Sequence, residues 1–166
     1  IERDHKAEYP TKHIKVLSEL GFMGMMVDPE YEGGGMDTVS YILAMEEISK
    51  VDASVSVIMS VNNSLVCYGL GKYGTDDQKK KYLPDLATGR KIGAYLLSEP
   101  EAGSDATMQR TTAEDKGDHY ILNGTKNWIT SANSASVYIV IAQTHPEKKH
   151  HGINAFIVDK DSPGIS

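Results

Sequence analysis

The spacing of apolar residues changes character near Ile92, and that change limits what the chain can become. Upstream, apolar residues recur at helical intervals. Downstream, short runs rich in β-branched and aromatic residues are separated by turn residues. This predicts two domains, an all-α helical bundle over residues 1–91 and an antiparallel β domain, barrel-like or sandwich-like, over residues 92–166. Strands and helices do not alternate, so a Rossmann-type sheet is excluded. Gly33-Gly34-Gly35 is therefore no dinucleotide fingerprint, which needs a strand before it and an acidic residue after it in the same unit.

In the helical part, Ile14, Leu17, Leu20 and Gly21 predict a short amphipathic helix closed by glycine. Residues 22–36 hold Gly24, Pro29 and the glycine triplet and should be a loop. Val39, Ile42, Leu43, Met45 and Ile48 give a second helix over 38–50, capped by Asp37 or Thr38. Residues 53–68 are apolar nearly all round and predict a buried central helix. Thr75-Asp76-Asp77-Gln78 fits a capping box that opens a last helix, which Pro84 should interrupt or restart.

Five stretches after Ile92 read as extended: 92–97, about 107–113, 119–122, 137–144 and 154–159. Lys116-Gly117-Asp118 and Asn123-Gly124 supply hairpin turns. The last strands leave an open edge after Ser162-Pro163-Gly164, so the β domain reads as unfinished and the chain as a piece of a longer polypeptide.

Composition narrows the function. Seventeen basic against 23 acidic side chains leave a net charge of −6, with no basic patch to attract nucleic acid. No run approaches 18 apolar residues and the first residues are charged, so neither a stable membrane insertion nor a signal peptide is expected. The single cysteine, Cys67, lies in an apolar helical stretch and reads as a small buried hydrophobe. Two adjacent histidines, His150 and His151, have no third ligand at usable spacing, so no metal site is expected. No Ser-His-Asp or Cys-His arrangement can be assembled.

Two segments carry chemistry. Residues 95–105, Tyr-Leu-Leu-Ser-Glu-Pro-Glu-Ala-Gly-Ser-Asp, are an apolar strand-like run ending in a Pro and Gly turn. Ser98 and Ser104 offer hydroxyls, Gly103 lets backbone approach a bulky ligand, and consecutive N–H groups in such a turn can cradle a phosphate. Asn127-Trp128-Ile129-Thr130-Ser131 sets the only tryptophan beside a threonine hydroxyl, which suits a flat heteroaromatic ring. Taken singly, the first is also an ordinary turn and the second an ordinary core tryptophan.

Together, and with Asp28-Pro29-Glu30-Tyr31-Glu32-Gly33-Gly34-Gly35, Met45-Glu46-Glu47-Ile48-Ser49, Tyr73-Gly74-Thr75-Asp76-Asp77-Gln78-Lys79, Leu83-Pro84, Leu122-Asn123-Gly124-Thr125-Lys126, Phe156-Ile157-Val158 and Pro163-Gly164, they resemble the acyl-CoA dehydrogenase family of flavoproteins, in order and spacing, from about Thr11 to the last residue. The likeness leans to short-chain, butyryl-CoA dehydrogenase-like members. It implies an oxidoreductase of fatty acid β-oxidation and lipid metabolism, cytoplasmic in a bacterium or in the mitochondrial matrix of a eukaryote. Such an enzyme oxidises short or branched acyl-CoA thioesters to trans-2-enoyl-CoA with FAD, as a homotetramer that passes electrons to an electron-transfer flavoprotein. An oxidase or flavin monooxygenase of the same fold, or a non-catalytic binding module, stays open beside it.

The resemblance also places residues. Tyr95, Leu96, Leu97 and Ser98 should run beside the isoalloxazine edge, and Glu99 should belong to the turn that shapes the flavin loop. Gly103 and Ser104 should approach the pyrophosphate, with Ser104 also near the pantetheine arm. Trp128 and Ile129 should pack by the ring, with the Thr130 hydroxyl near N5. Ile58, Val61, Asn62 and Leu65 are candidates for one wall of the acyl pocket, against a reading of plain core. In the family the glutamate that takes the α proton lies in a C-terminal helical domain absent from these residues, so no catalytic residue is expected here, and Glu46, Glu47, Glu99 and Glu101 are not promoted to that role.

Overall fold

A computed structural model of the chain describes residues 2–166. The chain divides into two compact units between Gly93 and Ala94. In the first, α1 (Glu2–His5) precedes α2 (Thr11–Glu19), which ends at Leu20 with Gly21 left-handed at φ 79°. Residues 22–36 form a loop containing two 3₁₀ turns, Phe22–Gly24 and Pro29–Tyr31. The glycine triplet lies against residues 24–27: Gly34 N–H donates to Gly24, Gly35 to Val27 and Met36 to Met25. A side chain at position 33 would collide with the Val27 carbonyl, so glycine there is a packing requirement.

Helix α3 (Thr38–Val51) starts where Asp37 accepts the Ser40 N–H. Asp52 then caps α4 (Ala53–Ser60) by accepting from Ser54 and Val55. Hydrogen bonds from Ser54 and Val55, with Arg3 beside it, hold the Asp52 carboxyl down at about 2 against its partial desolvation. The helix runs on through a π segment, Val61–Cys67, into α5 (Tyr68–Tyr73). It is five residues longer than expected and is not buried all round: Val57, Leu65 and Tyr68 face outward, while Val55, Ile58, Met59, Val66 and Leu70 face in. The span Ala53–Tyr73 is long and apolar enough, by length and composition alone, to cross a membrane, although polar residues interrupt its apolar runs. Half of its most apolar window is buried, as in the core helix of a globular fold.

Thr75 and Gln78 form the expected capping box of α6 (Asp76–Ala87). Pro84 does not interrupt this helix. It sits near the end, where the Thr88 N–H and hydroxyl both return to the Pro84 carbonyl, so only the bond from position 84 itself is lost. The core gathers Ile14, Met23, Met25, Tyr41, Val55, Ile58 and Met59. Cys67 is buried, and desolvation pushes its thiol up to about 12, which makes it inert.

The second fold is a sheet in the order β1 (Gly93–Leu96), β4 (Val137–Gln143), β2 (Thr112–Asp115), β3 (Tyr120–Asn123), with β5 (Ile153–Asp159) also paired to β4. Two pairings are antiparallel, β2 with β3 across the Lys116-Gly117-Asp118 turn and β4 with β5. The expectation of a purely antiparallel sheet needs one correction, because β2 meets β4 in parallel at Thr112 and Gln143. The sheet is open and does not close into a barrel.

Two further corrections concern local backbone. Asn123-Gly124 makes no hairpin; the chain leaves β3 there, passing so close to Thr111 that a Cβ on Gly124 would collide with its hydroxyl. Residues 107–111 are not strand either. The N–H groups of Arg110 and Thr111 go to the Glu99 carboxylate instead of a ladder, so β2 begins only at Thr112.

Candidate functional site

In the second unit, β1 delivers the 95–98 run and a tight turn follows at once, with Glu99 and Ala102 exchanging both backbone hydrogen bonds. Asp105 stabilises the next bend by accepting the Thr107 N–H and hydroxyl, which lowers its pKa. The 127–131 segment is then attached to the first by two consecutive residues. Lys126 donates from Nζ to the Leu97 carbonyl at 3.0 Å, and the Asn127 N–H donates to the Ser98 carbonyl at 3.0 Å. The two segments that looked informative apart in sequence are thus brought together.

Beneath them lies a buried ion pair. Lys126 Nζ is 2.7 Å from Glu99 Oε1, their side chains only 7% and 3% exposed. The ammonium also donates to Gln109 Oε1 at 2.6 Å, and Gln109 Nε2 donates to the same Leu97 carbonyl. Burial pushes Glu99 up, but hydrogen bonds from Lys126, Thr111 and Arg110 outweigh it and bring the carboxyl to about 2. Lys126 is lowered by desolvation, partly offset by Glu99.

On the outer side, Trp128 is 91% exposed and holds φ 57°, a conformation uncommon for a bulky residue; Ser131 follows at φ 65°. Between them Ile129 turns inward, against Ala94, Tyr138 and Val140. The hydroxyls of Ser98, Ser104 and Thr130 have no hydrogen-bond partner among the described residues. The Asn127 Oδ1 is buried and likewise unpartnered. A Cβ on Gly103 would meet nothing within 4 Å. An outward indole, unpartnered hydroxyls on adjoining segments and an open glycine turn fit a large, flat heteroaromatic group carrying phosphates.

The description "Acyl-CoA dehydrogenase, N-terminal domain" matches residues 1–90, and "Acyl-CoA dehydrogenase, middle domain" matches residues 94–166. The chain belongs to the acyl-CoA dehydrogenase family. It is 46% identical to the acyl-CoA dehydrogenase of Bacillus subtilis, covering 96% of this chain and 42% of that protein. It is 43% identical to the mitochondrial short-chain specific acyl-CoA dehydrogenase of Mus musculus, covering 100% and 40%. Among solved structures, butyryl-CoA dehydrogenase from Megasphaera elsdenii matches with TM-score 0.93 and 44% identity, over 98% of this chain and 44% of that one. A glutaryl-CoA dehydrogenase from Mycobacterium smegmatis in complex with FADH2 matches with TM-score 0.90 and 39% identity, over 98% and 40%. A structure described as the electron transferring flavoprotein of Acidaminococcus fermentans matches with TM-score 0.95 and 47% identity, over 98% and 43%. The chain therefore spans about two fifths of the length of the curated relatives it matches.

Within an acyl-CoA dehydrogenase fold, the residues singled out from sequence separate into outward and inward groups. Tyr95, Leu96, Leu97 and Ser98 are half-buried, and Gly103, Ser104 and Trp128 are exposed. The Leu97 carbonyl is engaged by Lys126 and Gln109, and the Ser98 carbonyl by Asn127, so Ser98 offers its hydroxyl rather than that oxygen. Glu99 and Ile129 point inward and anchor the loops.

On the candidate acyl wall, Ile58 is core, Val61 is half-buried and Leu65 is exposed. Asn62 is fully buried: its amide donates to the carbonyls of Met23 and Leu86, and its Oδ1 accepts from Gly93. It ties three segments of the helical unit together and has no atom free for a ligand. Glu46 and Glu47 pair with Lys50 on the helix surface. The sequence reading missed Lys126 and Gln109. A lysine directly before an Asn-Trp-Ile run and a glutamine in an apparently extended stretch were the available signals.

Proposed function

We propose that this chain supplies the helical and β parts of an FAD-dependent short-chain acyl-CoA dehydrogenase, which converts short or branched acyl-CoA thioesters to trans-2-enoyl-CoA. The observation that carries this reading is the double attachment of residues 126–127 to the carbonyls of Leu97 and Ser98, which sets the free hydroxyls of Ser98 and Thr130 and the outward Trp128 on neighbouring loops. The relative named short-chain specific and the neighbour named butyryl-CoA dehydrogenase support the substrate class. The neighbour solved with FADH2 supports the cofactor.

The chemistry supplied by bound FAD is hydride acceptance from the acyl β carbon. With FAD bound, the Thr130 hydroxyl would serve as a donor where charge gathers, a contribution of a few kcal/mol when such donors are preorganised. Ser98 and Trp128 would help hold that ring, the first with its hydroxyl and the second with its exposed indole. Gly103 and Ser104 leave backbone and hydroxyl donors for the pyrophosphate and the pantetheine arm. Glu99 cannot be the base, since it is buried, ionised and fully engaged; the base comes from residues outside this chain. Electrons leave to an electron-transfer flavoprotein, in keeping with the Acidaminococcus neighbour. The intact enzyme assembles as a homotetramer, in the mitochondrial matrix or bacterial cytoplasm according to its source.

The test is Thr130→Val in the intact polypeptide. Rapid mixing with a short acyl-CoA should show flavin reduction slowed by roughly 10- to 100-fold, the equivalent of about 1.4 to 2.7 kcal/mol. Reduction at the wild-type rate would remove Thr130 from the ring.

A further inference from the structure

We propose that Lys126 is the positioning residue of the flavin edge: its buried ammonium fixes the end of the 95–98 strand and the 127–131 turn in one register, so that both hydroxyls reach the same ring. The proposal rests on the flavin reading above. An ammonium has three N–H donors, and all three are used here, toward Leu97 O, Glu99 Oε1 and Gln109 Oε1 at 3.0, 2.7 and 2.6 Å.

The anchors are themselves fixed. Glu99 is gripped by the N–H groups of Arg110 and Thr111, and Gln109 returns to Leu97 O. Lys126, Gln109 and Leu97 therefore form a closed hydrogen-bonded ring to which Glu99 is tied through the ammonium, and the adjacent Asn127 N–H adds a second attachment at Ser98. Bonds from two consecutive residues to two consecutive carbonyls prevent both sliding and rotation of one loop on the other.

Stability alone is a poor reason to retain such a pair. Replacing a buried ion pair by neutral groups of similar volume is often neutral or stabilising. What neutral groups would lose is the directional hold on Leu97 O.

The double substitution Glu99→Gln with Lys126→Met, made in the intact polypeptide, keeps volume and leaves an acceptor for Arg110 and Thr111. It should unfold within a few degrees of wild type, yet bind FAD at least tenfold more weakly, with a shifted visible flavin spectrum. Gln109→Leu removes one arm and leaves the ion pair in place. It should weaken FAD by about threefold or more, with a smaller spectral shift, and so carries the test should the double variant not fold. FAD affinity within twofold of wild type and an unchanged spectrum, in either folded variant, would overturn the positioning role. A wild-type protein that takes up no FAD would instead overturn the flavin reading itself, and the proposal with it.

Discussion

Glu99 and Lys126 show how far one pair of side chains can set a local structure. Removing only one member leaves a buried charge without its partner, a change that typically costs 3–5 kcal/mol. Glu99→Gln alone should therefore lower the unfolding free energy of the β unit by about that amount, measured by denaturant titration, whereas the matched double substitution should not. The pH dependence has a definite sign. Glu99 is held at about 2, below its ordinary 4.5, so its stabilisation is fully present above pH 4.5 and is withdrawn as pH falls through about 2. Acid unfolding followed by near-UV circular dichroism should show Glu99→Gln losing less stability over that window than wild type. Trp128 gives a contrasting case. It is exposed and strained in backbone, so Trp128→Gly should leave stability within about 1 kcal/mol of wild type, relief of strain offsetting the greater freedom of the unfolded chain. Its effect should appear in flavin binding.

Among the elements, the helix from Ala53 through Tyr73 decides the helical unit. Asn62 and Asn63, on its π segment, donate to the carbonyls of Met23, Leu86, Phe22 and Met59. Asn62→Ala would take their Asn62 partner from the Met23 carbonyl and the Gly93 N–H, while the Leu86 carbonyl keeps the Gly89 N–H, at about 1–3 kcal/mol for each buried group left unpaired. A loss of at least about 2 kcal/mol in chemical denaturation is expected; less than about 1 would mean that water replaces the amide. Leu65→Ala, on the exposed face, should cost far less. This helix also marks where sequence is legible. Apolar spacing and the Asp52 and Thr75 caps announce helices through local chemistry, and the capping box and the Lys116-Gly117-Asp118 turn are local too. The π segment has no compositional signature, so the inward turn of Asn62 could not be read. Residues 107–111 misled for a related reason: their β-like composition is local, while the Glu99 carboxylate that takes the N–H groups of Arg110 and Thr111 lies eleven and twelve residues before them. At the site, the sequence singled out Ser104 and Trp128 through the family resemblance, and the structure leaves both exposed. Lys126 and Gln109 were not readable in this way, because their roles exist only once three distant segments meet.

The chain forms two compact units, matching the N-terminal and middle domains of acyl-CoA dehydrogenases and about two fifths of its relatives' length. The candidate flavin loops lie wholly in the β unit, and the candidate acyl wall in the helical one. Damage should therefore separate: substitutions at Ser98, Trp128 or Thr130 should act on flavin binding and reduction, and those at Val61 or Leu65 on the choice of acyl chain. The most direct test of the central claim is an anaerobic titration of the intact, FAD-loaded polypeptide with butyryl-CoA, followed by visible absorbance. The flavin should bleach in proportion to added substrate, and Thr130→Val should slow that bleaching without releasing the cofactor. A protein that holds FAD but keeps its oxidised spectrum under excess butyryl-CoA and longer acyl-CoA thioesters would contradict the account.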